Sequence, residues 1–372
     1  MNGIKNSVSA SYAVRRADSV ADHATMSGLW ARNMTDRRIA SRTEPRMQWL
    51  YGDNPAGLVR TWLLCTSTGI VVGCGSVLPR VVCVNGVNVR CGLLIDFAVD
   101  AAHRTAGPAL QIQRTILAAD STHQLDFMLA WPNRNSSAVV TRAGYTVVGQ
   151  SSLWVKPLSW HAELVKRLGR RGDTQSPLAF AIRLIAGFIE PCSLAADLLR
   201  TVPFTFRWQT EVADRADDRF SSLLGRTRQA YITARKDVAW LNWRYASFST
   251  VGHRFFLLFD RRDRQRLVAY AIYSINDGRV TISDLCCEDM RQHLTPLLLR
   301  LALRLRREGI QAISLIYVGT ALFARRLRTL QFFRSQHTRT LMVSLNTSAS
   351  PALKRDVLDA EQWLIFDGDL DI

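Results

Sequence analysis

The chain has 372 residues, is 48% hydrophobic and 21% charged, and carries a formal net charge of +17. That balance excludes a disordered chain, because the apolar fraction can build a core in each of two ordinary domains. The basic residues are spread along the sequence rather than blocked, which argues against a specific nucleic-acid-binding arm and fits an arginine-rich surface.

In chain order, a short strand is expected at 12–15, helical stretches at 19–39 and 45–51, and a turn at Asn54-Pro55-Ala56-Gly57. Strands follow at 59–66, 70–77 and 80–84, and Asn85-Gly86 signals a hairpin that returns the chain as a strand over 89–99. A helix over 107–119, a strand at 127–131, a helix at 136–143 stopped by Gly144, and a last strand at 145–155 complete this half. Residues 157–203 hold the basic run Lys166-Arg167-Leu168-Gly169-Arg170-Arg171 and read as a helical linker. The second half repeats the order of elements with little identity. It has strands at 206–212, 254–259, 267–276 and 279–286, with Asn276-Asp277-Gly278 as the hairpin. A helix over 290–308, a strand at 312–318, a helix at 321–329 and a strand at 338–344 follow.

The seven cysteines form no C-x-x-C pair, which argues against zinc. Residues 1–12 are polar and show no apolar core of a signal peptide, so a cytoplasmic protein with reduced thiols is expected. The apolar stretch from Leu178 to Leu199 is interrupted by Arg183, Glu190, Pro191 and Asp197, and makes a poor membrane span.

The segment Val99-Asp100-Ala101-Ala102-His103-Arg104-Thr105-Ala106-Gly107-Pro108-Ala109-Leu110 joins a strand to a helix. A short, glycine-containing turn into a helix start aims unpaired backbone N–H groups and the positive end of the helix dipole at one point. Such a turn suits phosphate. Its counterpart in the second half, Cys286-Cys287-Glu288-Asp289-Met290-Arg291-Gln292-His293-Leu294, has no glycine and two acids where a phosphate would sit. That copy is expected not to hold a phosphate, with Cys286 and Cys287 as core thiols.

Arg104-Thr105-Ala106-Gly107-Pro108-Ala109 resembles the Q/R-x-x-G-x-G/A acyl-CoA loop of the GNAT superfamily of N-acetyltransferases. Pro132-Asn133, the helix after Ser136, and Gly144-Tyr145 are similar to that family's second motif. Trp240 to Tyr245 and the acidic Phe366-Asp367-Gly368-Asp369-Leu370-Asp371 resemble two-domain members associated with bacterial polysaccharide or envelope biosynthesis.

The resemblance implies an α/β (α+β mixed-sheet) fold in two tandem GNAT-like units, and an acyl-CoA-dependent N-acyltransferase. The expected division is 1–157 as the catalytic domain, 158–203 as linker, 204–346 as a second domain and 347–372 as an acidic tail. Acetyl-CoA or another acyl-CoA is the implied donor. Its pyrophosphate would meet Arg104, Thr105, Ala106, Gly107, Ala109 and Leu110, and its pantetheine arm Phe97, Ala98, Val99 and Asn133. Pro108 removes one N–H from that cradle. Asp96 is the candidate base. The tyrosine that serves many relatives as general acid is replaced by Val140, and His103 and His123 are weaker candidates. The implied acceptor is a small-molecule amine, with amino sugars as the leading class. Two other readings stand beside this one: an inactive GNAT-like scaffold, and a binder of anionic membrane surfaces through Arg167, Arg170 and Arg171.

Overall fold

The computed structural model describes residues 11–18, 20–33, 43–120, 125–168, 177–227, 231–247, 252–335 and 339–370. The first half lays down strands β1 (Tyr12–Arg16), β2 (Arg60–Thr66), β3 (Val71–Val84), β4 (Val87–Val99), β5 (Phe127–Ala130), β6 (Thr146–Gln150) and β7 (Ser152–Pro157). Its helices are α1 (His23–Asn33), α2 (Thr43–Met47), α3 (Ala106–Asp120) and α4 (Ser137–Ala143). Two helices follow, α5 (Trp160–Leu168) and α6 (Pro177–Thr201). The second half adds β8 (Trp208–Ala213), β9 (Thr233–Ala234), β10 (His253–Asp260), β11 (Asp263–Asn276), β12 (Arg279–Cys287), β13 (Ala312–Gly319), β14 (Phe333–Ser335), β15 (Thr340–Leu345) and β16 (Leu364–Phe366). Among them lie α7 (Asp218–Arg226), α8 (Val238–Asn242), α9 (Met290–Arg307), α10 (Ala321–Thr329) and α11 (Pro351–Leu358).

These strands make two mixed sheets of 8 strands each. The first runs β1-β2-β3-β4-β5-β15-β6, with β9 on β3, and the second β14-β7-β13-β12-β11-β10-β8, with β16 on β13. The first sheet therefore takes two strands from the second half of the chain, β9 and β15, and the second sheet takes β7 from the first half. β15 lies between β5 and β6, while β7 lies between β13 and β14. The stretch expected as one strand at 145–155 divides at Ser151, whose N–H donates to the carbonyl of Arg339 at the start of the returning strand. The division has a visible cause. β6 is a largely exposed edge, whereas Trp154 and Val155 in β7 are buried between two neighbours.

The expected acidic tail is instead part of the core. α11 packs on the first sheet's edge, and β16 pairs antiparallel with β13 from Tyr317↔Phe366 to Gly319↔Leu364. Trp363, Ile365 and Phe366 are buried. The apolar residues between the acids drive this burial, and the acid Asp369 finds cations inside.

Within 158–203 the described residues form chiefly α5 and α6, and α6 is docked rather than loose. Its Asp197, 0% exposed, meets Lys156 at 2.9 Å and Arg306 at 3.3 Å. Among the described residues no helix is long and apolar enough to cross a membrane. Arg170 and Arg171 lie outside the described residues.

A shared apolar cluster joins the two sheets, with Leu78, Leu93 and Phe127 from the first and Phe255, Tyr270 and Ile272 from the second. Separate clusters bury α3 on the first sheet and α9 on the second. Helix α3 thus starts beside the end of β4, and α9 beside the end of β12.

Candidate functional site

At the first junction, parallel pairing between β4 and β5 ends at Leu93↔Leu129, while β4 continues to Val99. The strands part there, and the β4 edge at Phe97, Ala98 and Val99 faces the opening. A bulge opposite Gly75 sets this edge, and Asp96 within it adopts φ 49°. The chain then turns through Ala101–His103 into α3.

The turn is partly self-satisfied. His103 N–H bonds to Asp100, Arg104 N–H to Ala101 and Thr105 N–H to His103, so Arg104 and Thr105 offer fewer free amides than expected. The guanidinium of Arg104 folds back, donating to the Val99 carbonyl at 2.8 Å and to Asn33 Oδ1 at 2.6 Å. Both partners are neutral, so its positive charge stays at the junction. Asp100 is neutralised by Arg32 at 2.8 Å, which holds its carboxyl below the usual range. Ala106 and Gly107 begin α3, where first-turn N–H groups have no acceptor within the helix. A Cβ on Gly107 would meet nothing within 4 Å, so the space over this turn is open. Ala109 is buried and Leu110 half-buried on the helix's inner side, which gives them packing roles.

Two expected site residues have structural tasks. Asp96 is buried and receives Arg46 at 2.8 and 3.1 Å and the Tyr51 hydroxyl at 2.7 Å. Both carboxylate oxygens of Asp96 are thus engaged by Arg46, and one also by Tyr51, which ties the bulge to the elements packed against it. The Asn133 side chain accepts from the N–H groups of Asn135 and Ser136, both at 3.0 Å, and so shapes the turn before α4. Val140 is buried in the core. His103 bonds to the Tyr12 hydroxyl at 2.9 Å, and His123 lies outside the described residues.

At the second junction, pairing between β12 and β13 ends at Ile282↔Leu315, but the far end of β13 is covered by β16. The two acids expected to repel phosphate are both occupied. Glu288 is clamped by Arg266 at 2.9 Å and Arg226 at 3.3 Å, and Asp289 caps α9 through the Arg291 N–H at 2.7 Å. Burial lifts the Cys286 thiol to about 11 and the Cys287 thiol well above its ordinary value, so neither is a ready nucleophile.

Between this junction and the C-terminal turn lies a buried ionic cluster. Lys236 meets Asp284 at 2.5 Å and Asp369 at 3.0 Å, and Arg80 from the first half approaches Asp369 at 3.6 Å. Burial pushes the Asp284 carboxyl up to about 7, although Lys236 pulls it down. For Lys236, burial works against the charge but the two carboxylates outweigh it and raise the group. Gly368 makes this packing possible, because a Cβ there would collide with the Tyr245 hydroxyl and lie 2.8 Å from the Ser283 carbonyl.

No protein-family model matches the sequence, and no curated protein is similar to it. Solved structures do share its fold. A conserved protein of unknown function from Enterococcus faecalis V583, described as a probable N-acyltransferase, aligns with TM-score 0.61 and 11% identity over 90% of this chain and 73% of that one. A GCN5-related N-acetyltransferase from Anabaena variabilis ATCC 29413 aligns with TM-score 0.61 and 12% identity, over 91% and 73% of the two chains. The chain carries two tandem GNAT-like folds. Saccharomyces cerevisiae N-myristoyltransferase, solved with bound myristoyl-CoA, also aligns, with TM-score 0.52 and 10% identity over 90% and 83%.

The ends of β4 and β12 carry similar strings. Asp96-Phe97-Ala98-Val99-Asp100 corresponds to Asp284-Leu285-Cys286-Cys287-Glu288, each run with an acid at or beside the bulge of its strand. Each first acid is gripped by a buried cation, Arg46 or Lys236. Neither cation was among the sequence candidates. Aligning the halves on their Asp-apolar-x-x-acid strings would have singled out Asp284, but nothing local marks Arg46 or Lys236.

Proposed function

We propose that the protein is an acyl-CoA-dependent N-acyltransferase that holds its donor at the first junction. The observation that carries this reading is the parting of β4 and β5 after Leu93↔Leu129, beside a helix start with open space over Gly107. In this reading the donor's pantetheine amides pair with the parted β4 edge at Phe97, Ala98 and Val99, where Arg104 already holds the Val99 carbonyl. Its pyrophosphate meets the Ala106 and Gly107 amides and the uncompensated charge of Arg104. Pro108 contributes no N–H. Backbone N–H groups on the parted edge are suited to the oxyanion that forms when an amine attacks the thioester carbonyl. Asp96 orders the bulge through Arg46 and Tyr51.

The acceptor in this reading is a small-molecule amine, and the amino sugars implied by the family resemblance head the panel to be tried. Calorimetric titration with acetyl-CoA, paired with a thiol-release assay across amines, tests the proposal. Wild-type protein is expected to bind, and Gly107→Glu, which puts a side chain and a negative charge over the turn, is expected to bind at least about tenfold more weakly. Equal binding by both proteins would remove the donor from this junction.

A further inference from the structure

Helix α6 presents its apolar face to solvent. A helix on the surface of a globular domain ordinarily turns its apolar face to the core and its polar face to water. In α6 the polar groups turn inward instead. Asp197 is buried against Lys156 and Arg306, Ser193 is buried and donates to Gln331 Oε1 at 2.8 Å, and Glu190 accepts the Trp160 N–H at 3.1 Å. On the opposite face Leu184, Ile185, Phe188, Leu198 and Leu199 are exposed, as is Val202 just beyond the helix. Phe188 is 74% and Leu199 72% exposed. Pro191 and Ala195 fill the turns between them, so no charge interrupts the row. At 1.5 Å per residue the row runs about 27 Å from Leu184 to Val202. Single exposed leucines are ordinary, but a contiguous row along one helix face marks a contact surface.

Charge decides what covers that face. Both acids of α6 point into the protein, and the exposed positions from 183 to 199 hold a single charged residue, Arg183. Arg200 stands half-buried at the other end. α5, which packs against α6, carries Lys166 and Arg167 in its sequence. A two-fold contact with a second copy would set cation against cation at the ends of the row. No acid on the face would offset them, and each chain carries a formal +17. An anionic lipid surface meets the same arrangement with attraction. Because its polar face is tied to Lys156 and Arg306, α6 can lie along such a surface but not cross it.

We infer that α6 docks the protein on an anionic membrane surface, in the plane of the interface, with the row from Leu184 to Val202 at the acyl-chain boundary and Arg183 and Arg200 at the headgroups. This contact is independent of where the acyl donor binds.

Cys192 supplies a reporter in the natural chain, since it is the exposed thiol, on α6, while the other cysteines are buried or half-buried. The full chain, labelled there with the environment-sensitive dye nitrobenzoxadiazole, is titrated with lipid vesicles. It is expected to bind phosphatidylcholine vesicles that contain phosphatidylglycerol, with a blue shift of the dye, and pure phosphatidylcholine at least about tenfold more weakly. Phe188→Gln/Leu199→Gln leaves the net charge unchanged. Both side chains are exposed, so this variant is expected to keep the wild-type thermal midpoint, which is measured alongside. Its affinity for the anionic vesicles is expected to fall at least about tenfold. Membrane docking through α6 is overturned if wild type does not bind the anionic vesicles, binds both lipids equally, or binds without a shift of the dye. It is also overturned if the double variant binds equally well. A lipid-free wild-type dimer in sedimentation equilibrium that the double variant does not form would assign the face to a second copy and overturn it too.

Discussion

Trp49 and Trp243 stack with centroids 4.9 Å apart and planes 20° apart, and each indole N–H donates to the other's backbone carbonyl, at 2.7 and 2.9 Å. They occupy matching places in the two halves, each in a Trp-x-Tyr string within a widened helical turn, at Gln48–Gly52 and Trp243–Ser247. The reciprocal bonds tie one half to the other at its centre. Trp49→Phe keeps a ring but leaves the Trp243 carbonyl without its indole donor, and is expected to cost about 1–3 kcal/mol. Trp49→Ala also opens a cavity and should cost about 3–5 kcal/mol. Urea unfolding of Trp49→Phe, Trp243→Phe and the double variant should show non-additive losses; strictly additive ones would mean the two bonds are independent.

The exchange of β7 and β15 makes each sheet depend on the whole chain. A fragment ending at Pro157 lacks β15, so β5 loses a neighbour and β6 loses its sheet altogether. Exposed strand edges of this kind favour aggregation over a folded monomer. The fragment is expected to be insoluble or unfolded, while the full chain unfolds in one transition by circular dichroism. A monomeric, cooperatively folded fragment would contradict this.

Asp96→Asn separates an anchoring role from a proton-accepting one. The Asp96 and Arg46 side chains are each 3% exposed, and removing one partner of such a buried pair costs about 3–5 kcal/mol. The expected result is a lower urea midpoint together with weaker acetyl-CoA binding as the bulge loosens. Unchanged stability with a rate that loses its pH dependence would restore Asp96 as the base.

Much of the fold is legible because its signals are local. Asn85-Gly86 and Asp277-Gly278 mark their hairpins, and all four residues do take positive φ, between 47° and 81°. The strand-to-helix turn ahead of α3 is likewise local in sequence. The exchange is not, because 145–155 reads as one continuous strand and only long-range pairing divides it at Ser151. The C-terminal acids look like a solvated tail for the same reason: Asp369 is matched by Lys236 and Arg80, far away in the chain. Asp96 looked available because Arg46 and Tyr51, which engage it, lie on another element.

The ionic cluster around Lys236 should leave a pH signature on stability. The Asp284 carboxyl rises from its ordinary 3.8 to about 7, first because it is buried and further because Asp369 is near, against the pull of Lys236. A carboxyl whose folded value is raised binds its proton more tightly when folded. Its contribution to stability is therefore fully present below about 3.8 and is lost as the pH rises toward 7. Lys236 is raised above its ordinary 10.5, so its own contribution is lost only beyond that and stays constant in the acidic window. Asp284→Asn mimics the protonated carboxyl at every pH. Between pH 5 and pH 8 the variant should gain on wild type by an amount on the order of 2 kcal/mol. Urea unfolding of both proteins at the two pH values measures that gain, and a gap that stays constant would show that Asp284 is already ionised at pH 5.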